Sequence, residues 1–322
     1  MDSQLPTHTS RIAVIDLGSN TARCVVFENE HGTLRQVASD REPLKILRSI
    51  TKDGELSSSA ARRLKATLIR FLRTCREHDA TDIQVVATAA YRQARNGPDI
   101  LERISMSLDI PITIVDGTRE GTLSLLGALR AFPAVTKGYV IDIGGGSMEI
   151  VQFRNRQRTA SWCFPLGALR TADTFLASDP PTDSERAALQ DHVQDTLAAA
   201  GIPPLESDDV VIGVGGSIRN LARIHARLHS SIPEPSRSAL RRKDVRTLIE
   251  ALSLVTEKQR SAIRGLSPDR ADSILGGATV LRTTLKCLKA KRLIVSPYGL
   301  REGVASERLD SSPSSPGARG VE

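Results

Sequence analysis

The chain has 322 residues, enough for two domains of ordinary size, and 40% of them are apolar, enough for a core in each. Only 3% are aromatic, so the core is aliphatic and few side chains can stack on nucleic-acid bases. No apolar run is long enough to span a bilayer, and the first residues lack a secretory signal. We therefore expect no membrane and no nucleic acid among the partners of this chain.

In the first half, polar residues 1–10 suggest a flexible N-terminus, and strand-like and helix-like segments then alternate. The patterns predict strands at 11–18, 21–28, 83–90 and 112–117. They predict helices at 59–78, 97–108 and 119–132.

The second half continues this alternation and ends in a segment rich in Ser, Pro and Gly, residues 306–322, which we expect to be a disordered tail. Strands are predicted at 138–143, 149–153, 209–217 and 292–299. Helices are predicted from 182 onward and at 218–228, 244–255 and 270–288. Strands that alternate with helices indicate an α/β protein with parallel sheets.

An internal repeat predicts the architecture. "VIDLGSNTARCVVF" (14–27) aligns with "VIDIGGGSMEIVQF" (140–153) at an offset of 126 residues, and both carry Asp-x-Gly at the turn. The repeat predicts two similar domains, residues 11–133 and 134–305, that face each other. Chance similarity between two β-hairpins is the alternative.

Each copy of the repeat has a turn suited to an anion. Closely spaced glycines let successive backbone N–H groups converge on one point, and phosphate is the ligand that best matches such a concavity. The sequence predicts a phosphate site from the second turn, at Gly144, Gly145, Gly146 and Ser147, and from the first turn, at Ser19, Asn20 and Thr21.

Asp16 and Asp142 end the two strands that lead into these turns. Their carboxylates cannot attract phosphate directly, but they can hold Mg²⁺ (or Mn²⁺), which neutralises phosphate oxygens. The alternative is that both aspartates only cap their turns.

Other phosphate and nucleophile motifs are missing. No G-x-x-x-x-G-K-[ST] motif occurs, and "GVGGSIRN" (213–220) is not G-x-G-x-x-G, so the sequence indicates neither a P-loop nor hydride chemistry. A serine nucleophile in "GGGS" would need a histidine base that the sequence does not place. Four scattered cysteines in apolar stretches, Cys24, Cys75, Cys163 and Cys287, favour reduced thiols and a cytoplasmic location.

The net charge is +7, and basic residues cluster at 237–246 and 286–292. These clusters form either a solvated surface or a field that gathers a polyanion, whether a nucleic acid or an inorganic one. The scarcity of aromatic residues counts against single-stranded nucleic acid.

D-x-G-x-x-T near the start, D-I-G-G-G-S midway and a later G-G-[ST] turn resemble the fold of actin, Hsp70 and sugar kinases. Within that group the chain closely resembles the exopolyphosphatase/guanosine pentaphosphate phosphatase (Ppx/GppA) family. The resemblance implies a duplicated ribonuclease H-like (actin-like ATPase) fold, with two domains facing an interdomain cleft. Seven segments carry it in the family's order: "IDLGSNTAR", "ATAAYRQARN", "DGTREGTLSLLGAL", "VIDIGGGSMEI", "PLGALRTAD", "GVGGSIRNLA" and "VSPYGLREGV".

The resemblance implies roles for three further residues. Glu120 matches the family's catalytic carboxylate, Arg92 is expected to bind phosphate, and Glu149 is expected to join Asp142 and Asp16 around the metal. The alternatives are a first-turn glutamate favoured by the helix dipole, a surface cation and a cross-strand partner. The family pattern S-G-x-E-E-A reads D-G-T-R-E-G here, so Arg119 replaces the first glutamate and either contacts substrate or points to solvent.

The implied activity is hydrolysis of the terminal phosphoanhydride of inorganic polyphosphate, with release of orthophosphate. Hydrolysis of guanosine pentaphosphate (pppGpp) is the first alternative, and phosphate transfer by a kinase of the same superfamily is another. A non-catalytic sensor of polyphosphate or (p)ppGpp is the alternative outside the enzymes. A homodimer is an expectation that rests on the family alone.

Overall fold

The computed structural model describes residues 11–30, 33–229 and 239–310. Two β-sheets, one from each half of the chain, are covered by helices, as the duplicated α/β fold requires. The predicted flexible N-terminus, residues 1–10, lies outside the described residues. None of the described helices combines the length and apolar character needed to cross a membrane.

The first sheet has the strand order β3-β2-β1-β4-β5. Its strands are β1 (Arg11–Leu17), β2 (Ala22–Glu30), β3 (Thr33–Glu42), β4 (Asp82–Ala87) and β5 (Ile112–Ile114). The helices of this half are α1 (Ser58–Glu77), α2 (Ala89–Gln93), α3 (Gly97–Leu108) and α4 (Gly117–Ala131), and a short 3₁₀ helix covers Ile46–Ser49. The apolar face of α1 packs on this sheet, as its period predicts.

The second sheet has the strand order β10-β11-β9-β6-β7-β8. Its strands are β6 (Gly138–Ile143), β7 (Met148–Arg154), β8 (Gln157–Phe164), β9 (Val210–Val214), β10 (Ala239–Arg241) and β11 (Arg292–Val295). The helices are α5 (Ala168–Phe175), α6 (Asp183–Ala199), α7 (Gly216–Leu228), α8 (Arg242–Leu252), α9 (Glu257–Ser261), α10 (Ile274–Cys287) and α11 (Leu300–Asp310). Thr182 and Glu185 form a capping box at the start of α6, the helix predicted from residue 182 onward.

The prediction of parallel sheets is wrong for part of each sheet. β1 pairs antiparallel with β2, and β6 pairs antiparallel with β7, because only the turns 18–21 and 144–147 connect them. A connection of four residues can join only antiparallel neighbours, whereas parallel neighbours need a crossover. β1 with β4, β6 with β9 and β9 with β11 are parallel.

Two helices connect the halves by packing on the opposite sheet. Leu125 and Leu129 of α4 pack against Val140 and Phe153 of the second sheet. Leu300, Val304 and Ala305 of α11 pack against the first sheet, in one cluster with Ile12 and Val14. Each of these helices therefore belongs to one half of the chain and packs on the sheet of the other half, and the boundary at 133/134 stays a prediction.

The predicted disordered tail begins too early. Helix α11 continues from Leu300 to Asp310, so residues 306–310 are helical, and Ser306 is buried. The first half of this helix is buried against the first sheet, which the composition of the segment alone does not reveal. Residues 311–322 lie outside the described residues.

Helices α4 and α11 cross at glycines. A Cβ added at Gly127 would lie 2.0 Å from the carbonyl oxygen of Gly299, and one added at Gly303 would lie 1.9 Å from that of Leu123. Only glycine allows backbones to approach so closely. The crossing holds α4, and with it Glu120, at the junction of the two halves.

Candidate active site

A cavity of about 310 Å³ lies between the two halves of the molecule. Three glycine turns line it: Gly18 to Thr21 after β1, Gly144 to Ser147 after β6, and Gly215 with Gly216 at the start of α7. The first two are the turns of the sequence repeat. Each follows the strand that ends in its aspartate, so the repeat places equivalent groups on opposite walls.

The two repeat turns are in contact with each other. A Cβ added at Gly145 would lie 2.9 Å from the Cβ of Asn20, and one added at Gly146 would lie 2.5 Å from the Oγ of Ser19. Any side chain at these two positions would push the turns apart. The predicted phosphate-binding residues of both turns are therefore brought to one place.

Polar groups of these turns lie buried without partners. Both amide atoms of Asn20 and the Oγ1 of Thr21 have no hydrogen-bond partner among the described residues. Each such group loses its hydration without compensation unless a ligand or water supplies it. The turns themselves are held in place, since Ala168 N donates to Gly144 O at 2.9 Å and Ala90 N donates to Ser19 Oγ at 3.1 Å.

Asp16 and Asp142 both line the cavity. Arg301 Nη1 donates to Asp16 Oδ2 at 3.1 Å, and Ser124 Oγ on α4 donates to Asp142 Oδ2. Burial, more than any other cause, raises the pKa of both carboxyls. Asp142 also raises the pKa of Asp16 by like charge, so the two face the same space.

Glu120 lies in the first turn of α4, 7% exposed, and lines the cavity. Gly117 and Gly121 flank it, and a Cβ at either would collide with Cys163 or Val151 of the second sheet. These glycines therefore let the helix lie directly on the strands. Burial raises the pKa of Glu120 to about 7, although the Arg92 guanidinium, which donates to its Oε2 at 2.7 Å, lowers it.

Arg92 and Glu149 do not line the cavity. Arg92 lies at the end of α2 and donates to Glu120 and to the carbonyl oxygen of Val115, so it contacts the candidate base. Glu149 is 1% exposed, and Cys163 Sγ donates to its Oε1 at 3.3 Å. Burial, followed by the charge of Glu120, raises the pKa of Glu149 well above its ordinary value.

Among the described residues, six arginines also line the cavity, against four carboxylates. The sequence predicts none of the six as a phosphate-binding residue. They are Arg23, Arg41, Arg219, Arg223, Arg270 and Arg301. Arg23 Nε, Arg219 Nη1 and Arg301 Nε are buried without hydrogen-bond partners among the described residues. Burial lowers the pKa of Arg23 and of Arg219 to about 10. An anion in the cavity would offset the cost of burying these arginines, because it supplies a negative charge and hydrogen-bond acceptors.

Comparison with known proteins agrees with this geometry. The sequence matches the Ppx/GppA phosphatase family over residues 25–312. The chain belongs to that family. Exopolyphosphatase 1 of Mycobacterium leprae is 29% identical over 94% of this chain and 90% of its own length.

Solved structures of the family share the fold. The crystal structure of an exopolyphosphatase from Cytophaga hutchinsonii is 25% identical, with a TM-score of 0.84 over 94% of this chain and 98% of its own. The Ppx/GppA family member from Aquifex aeolicus is 24% identical, with a TM-score of 0.81 over 95% of this chain and 99% of its own. The actin-like fold predicted from the motifs is confirmed.

Within this family fold, the two halves carry different groups at equivalent positions. In the first sheet Asp16 of β1 lies opposite Arg23 of β2, and Arg23 lies opposite Arg41 of β3. All three residues line the cavity. In the second sheet Asp142 of β6 lies opposite Glu149 of β7, and Glu149 lies opposite Cys163 of β8. Since Arg23 and Glu149 are also related by the 126-residue offset, the repeat could have identified Arg23.

Another signal in the family motif "GVGGSIRNLA" could have identified Arg219. This residue lies one helical turn after the third glycine turn and lines the same cavity. Arg270 precedes α10, and no motif near it marks it as a cavity residue. It reaches the third glycine turn through the tertiary fold alone, where its guanidinium would block a Cβ at Gly216.

The cavity residues fit Mg²⁺ in part. Mg²⁺ is usually held by one or two carboxylates, waters and substrate phosphates rather than by a complete protein cage. Asp16 and Asp142 provide two such carboxylates, and within residues 11–30, 33–229 and 239–310 no group of three or more ligating side chains is clustered. Glu149 lies outside the cavity lining, so its place in the metal site stays a prediction.

Arg119 occupies the position of the first glutamate in the family pattern. It neither enters the cavity nor simply points to solvent, because both of its terminal nitrogens donate to the carboxylate of Glu307 on α11. The replacement therefore adds a link between α4 and α11, next to Glu120.

Proposed function

We propose that this chain is an exopolyphosphatase, which releases orthophosphate from the end of inorganic polyphosphate. The observation that carries the proposal is one cavity in which two touching glycine turns, six arginines and a buried glutamate of raised pKa meet. Its charge and unpaired donors suit a polyanion, and the glutamate suits the activation of water. The relatives named exopolyphosphatases support the same activity.

The reaction needs one water. Glu120 accepts a proton from it while the water oxygen bonds to the terminal phosphorus. The bridging P–O bond breaks, and its electron pair stays on the oxygen of the shortened chain. The turns at 18–21 and 144–147 hold the terminal phosphoryl group, the arginines offset its charge, and Arg92 orients Glu120, so catalysis consists of positioning and charge stabilisation.

We also propose that Mg²⁺ or Mn²⁺ is required, with Asp16 and Asp142 holding it. When bound, the ion neutralises negative charge on the phosphate oxygens. The four cysteines are free thiols, which supports the proposed cytoplasmic location. A homodimer stays a prediction.

Inorganic polyphosphate fits the cavity better than pppGpp does. Among the described residues that line it, none is aromatic, and only Val214 and Leu300 have apolar side chains. A guanine base would find no ring to stack on. A ligand made of phosphate alone is matched by the arginines and the glycine turns of the lining.

Phosphate release from long-chain polyphosphate, tripolyphosphate and pppGpp, each with and without Mg²⁺, tests the proposal. We expect release from polyphosphate to be fastest and to depend on the ion. Faster release from pppGpp would identify pppGpp, instead of polyphosphate, as the preferred substrate. ATP formation on adding ADP would identify a kinase. Binding of polyphosphate without any release would identify a sensor.

Glu120→Gln tests the base. The amide keeps the shape but cannot accept the proton, so kcat should fall by about 10²- to 10⁴-fold. Glu102→Gln, at an exposed position of α3, is the matched control and should keep full activity. If circular dichroism shows both variants folded and both turn over at the wild-type rate, Glu120 is not the base.

A further inference from the structure

A second cavity, of about 560 Å³, lies in the second half of the molecule and brings together both basic clusters of the sequence. Every lining residue in the described part of the chain is cationic: Arg241, Arg242, Lys243, Arg246, Arg282, Lys286 and Lys291. They come from the start of α8, the second half of α10 and the turn before β11. Segments separated in sequence thus converge on one positively charged surface.

The cations of this basic cavity have little compensating charge. In the described part of the chain, the ion pairs include only one with a cavity residue, Arg246 with Glu250 at 3.6 Å. Arg282 and Lys286 donate to the neutral amides of Gln190 and Gln194, at 2.9 and 3.4 Å. The neighbouring residues orient these two side chains without neutralising them.

Helix stability does not explain the three cations at the start of α8. Arg241 is its N-cap, and Arg242 and Lys243 are its first two residues. The helix dipole disfavours cations at this end, by about 0.3–1 kcal/mol each, and favours anions. Three consecutive cations there oppose stability, whereas their side chains create a surface that attracts phosphate. The backbone amides of Arg241 and Arg242 already donate to Asp244 Oδ2 at 3.0 Å and to the carbonyl oxygen of Lys291 at 2.9 Å, so the side chains alone provide the attraction.

The chemistry of the lining selects for phosphate and against bases. Among the described residues only lysine and arginine contribute to it, so a nucleic acid would find charge but no aromatic side chain for its bases. A linear chain of phosphates offers closely spaced charges that several cations can bind at once. Inorganic polyphosphate is the ligand that matches these features.

Helix α10 connects this cavity to the active site. Arg270, just before α10, lines the catalytic cavity, and a Cβ at Gly277 in its first turn would lie 2.8 Å from Ser217, beside the third glycine turn. Lys286 lies near the other end, and the helix rises roughly 18 Å from Ile274 to Lys286. Residues 274–281 of the helix are buried, so a long polyanion that occupies both sites spans at least this distance over the surface of the neighbouring helices.

We propose that the basic cavity holds the body of a polyphosphate chain whose terminal phosphate lies in the active site. This inference rests on the proposed function. It assigns substrate-length preference to the second half of the molecule: a short chain occupies the active site alone, and a long chain gains a second set of contacts.

The test compares the double variant Arg246→Gln/Lys286→Gln with the control Lys52→Gln/Arg73→Gln, which removes the same charge from exposed positions of the first half. For long-chain polyphosphate we expect the double variant to raise KM about tenfold or more. Its kcat, and its KM for tripolyphosphate, should match the control. Equal long-chain KM values for the two variants would overturn the inference while leaving the proposed function intact.

Equilibrium binding tests whether the basic cavity holds polyphosphate even if the protein hydrolyses none of it. Long-chain polyphosphate, orthophosphate and a single-stranded RNA are each titrated into both variants and the wild type, in EDTA at several salt concentrations. We expect the double variant to bind long chains more weakly, with a salt dependence shallower by about two in log–log slope. Loss of orthophosphate or RNA binding to the same extent, or no loss at all, would overturn the inference.

Discussion

Glu120 accepts its hydrogen bond from Arg92 while buried between two halves that each contribute an aspartate. Burial raises its pKa to about 7, like charge from Asp142 and Asp16 adds to the rise, and Arg92 opposes it. A carboxylate of this pKa is a stronger base than an exposed glutamate, and about half of it is ionised at pH 7. The shift costs stability, because an unfolded chain ionises the group more easily, and the cost grows as pH rises from about 4.5 to 7.

The pH–rate profile should therefore report Glu120. Only the ionised form accepts a proton, so kcat/KM should rise about tenfold per pH unit below pH 7 and level off above it. Arg92→Gln removes the guanidinium that lowers this pKa, so the midpoint should move to higher pH, and activity at pH 7 should fall about tenfold. Arg95→Gln, at a nearby exposed arginine, is the control. A profile of Arg92→Gln that overlays the wild type would contradict this assignment.

The sequence identifies the residues of the site unevenly. The repeat alone is enough to find Asp16, Asp142 and both glycine turns, because a turn and its aspartate are local features. Glu120 and Arg92 come only from the family resemblance, since a first-turn glutamate and a helix arginine are common. Arg270 could not be found, because a loop far along the chain delivers it to the cavity.

At the scale of elements, the crossing of α4 and α11 places Glu120. Each helix packs on the sheet of the other half, and the two touch at Gly127 and Gly303. The link from Arg119 to Glu307 lies on the surface beside this crossing, 43% and 39% exposed, and such pairs contribute little. Close backbone packing, rather than charge, fixes the position of the catalytic turn.

Gly303→Ala tests that conclusion. The added methyl would meet the Leu123 carbonyl oxygen at 1.9 Å, so the helices must separate, at a cost of about 1–3 kcal/mol in the free energy of unfolding. Activity should fall as well, because Glu120 moves with α4. Asp310→Ala, exposed on the same helix, should stay within about 0.5 kcal/mol of wild type. Thermal and urea unfolding measure the stability of both variants. Equal stability would contradict the conclusion that the crossing of α4 and α11 fixes the position of α4.

Elements with strong periodicity are predictable from this sequence, and those defined by their neighbours are not. Helix α1 and strands β1 and β6 follow from their apolar patterns. Strand β3, "TLRQVASDRE", is mostly polar because it is an edge strand, and β10 has only three residues, so both are missed. Helix α11 is also missed. The two glycines in "VSPYGLREGV" do not favour a helix, and the close crossing with α4 that requires them is not visible in the sequence.

For the whole molecule, ion pairs join the two halves next to the cavity. Lys45 and Arg48 of the first half both donate to Asp272 Oδ2 at 2.6 Å, and Arg48 also pairs with Asp173. Arg41, which lines the cavity, pairs with Asp269 at 2.6 Å. These ion pairs favour the closed arrangement in which the glycine turns touch. Substrate can enter only when the ion pairs break and the two halves separate.

Asp272→Asn should shift the balance toward open forms. Asp272 is 4% exposed at its side chain and pairs with two cations. The neutral amide therefore removes the carboxylate between Lys45 and Arg48 and leaves Arg48 with Asp173 as its acidic partner. If the closed fraction falls to about a tenth, KM for tripolyphosphate rises about tenfold, because only closed molecules bind productively. Asp191→Asn, exposed on α6, is the matched control.

Small-angle scattering and salt dependence separate this effect from a local defect. The radius of gyration of Asp272→Asn should exceed that of the control at about 0.1 M salt, and the difference should shrink at about 1 M, where screening weakens the wild-type pairs as well. Saturating tripolyphosphate should restore the compact form, since substrate binds across both halves. An unchanged radius together with a raised KM would place Asp272 in substrate binding instead, and an unchanged KM would show that the cross-cleft pairs do not control closure.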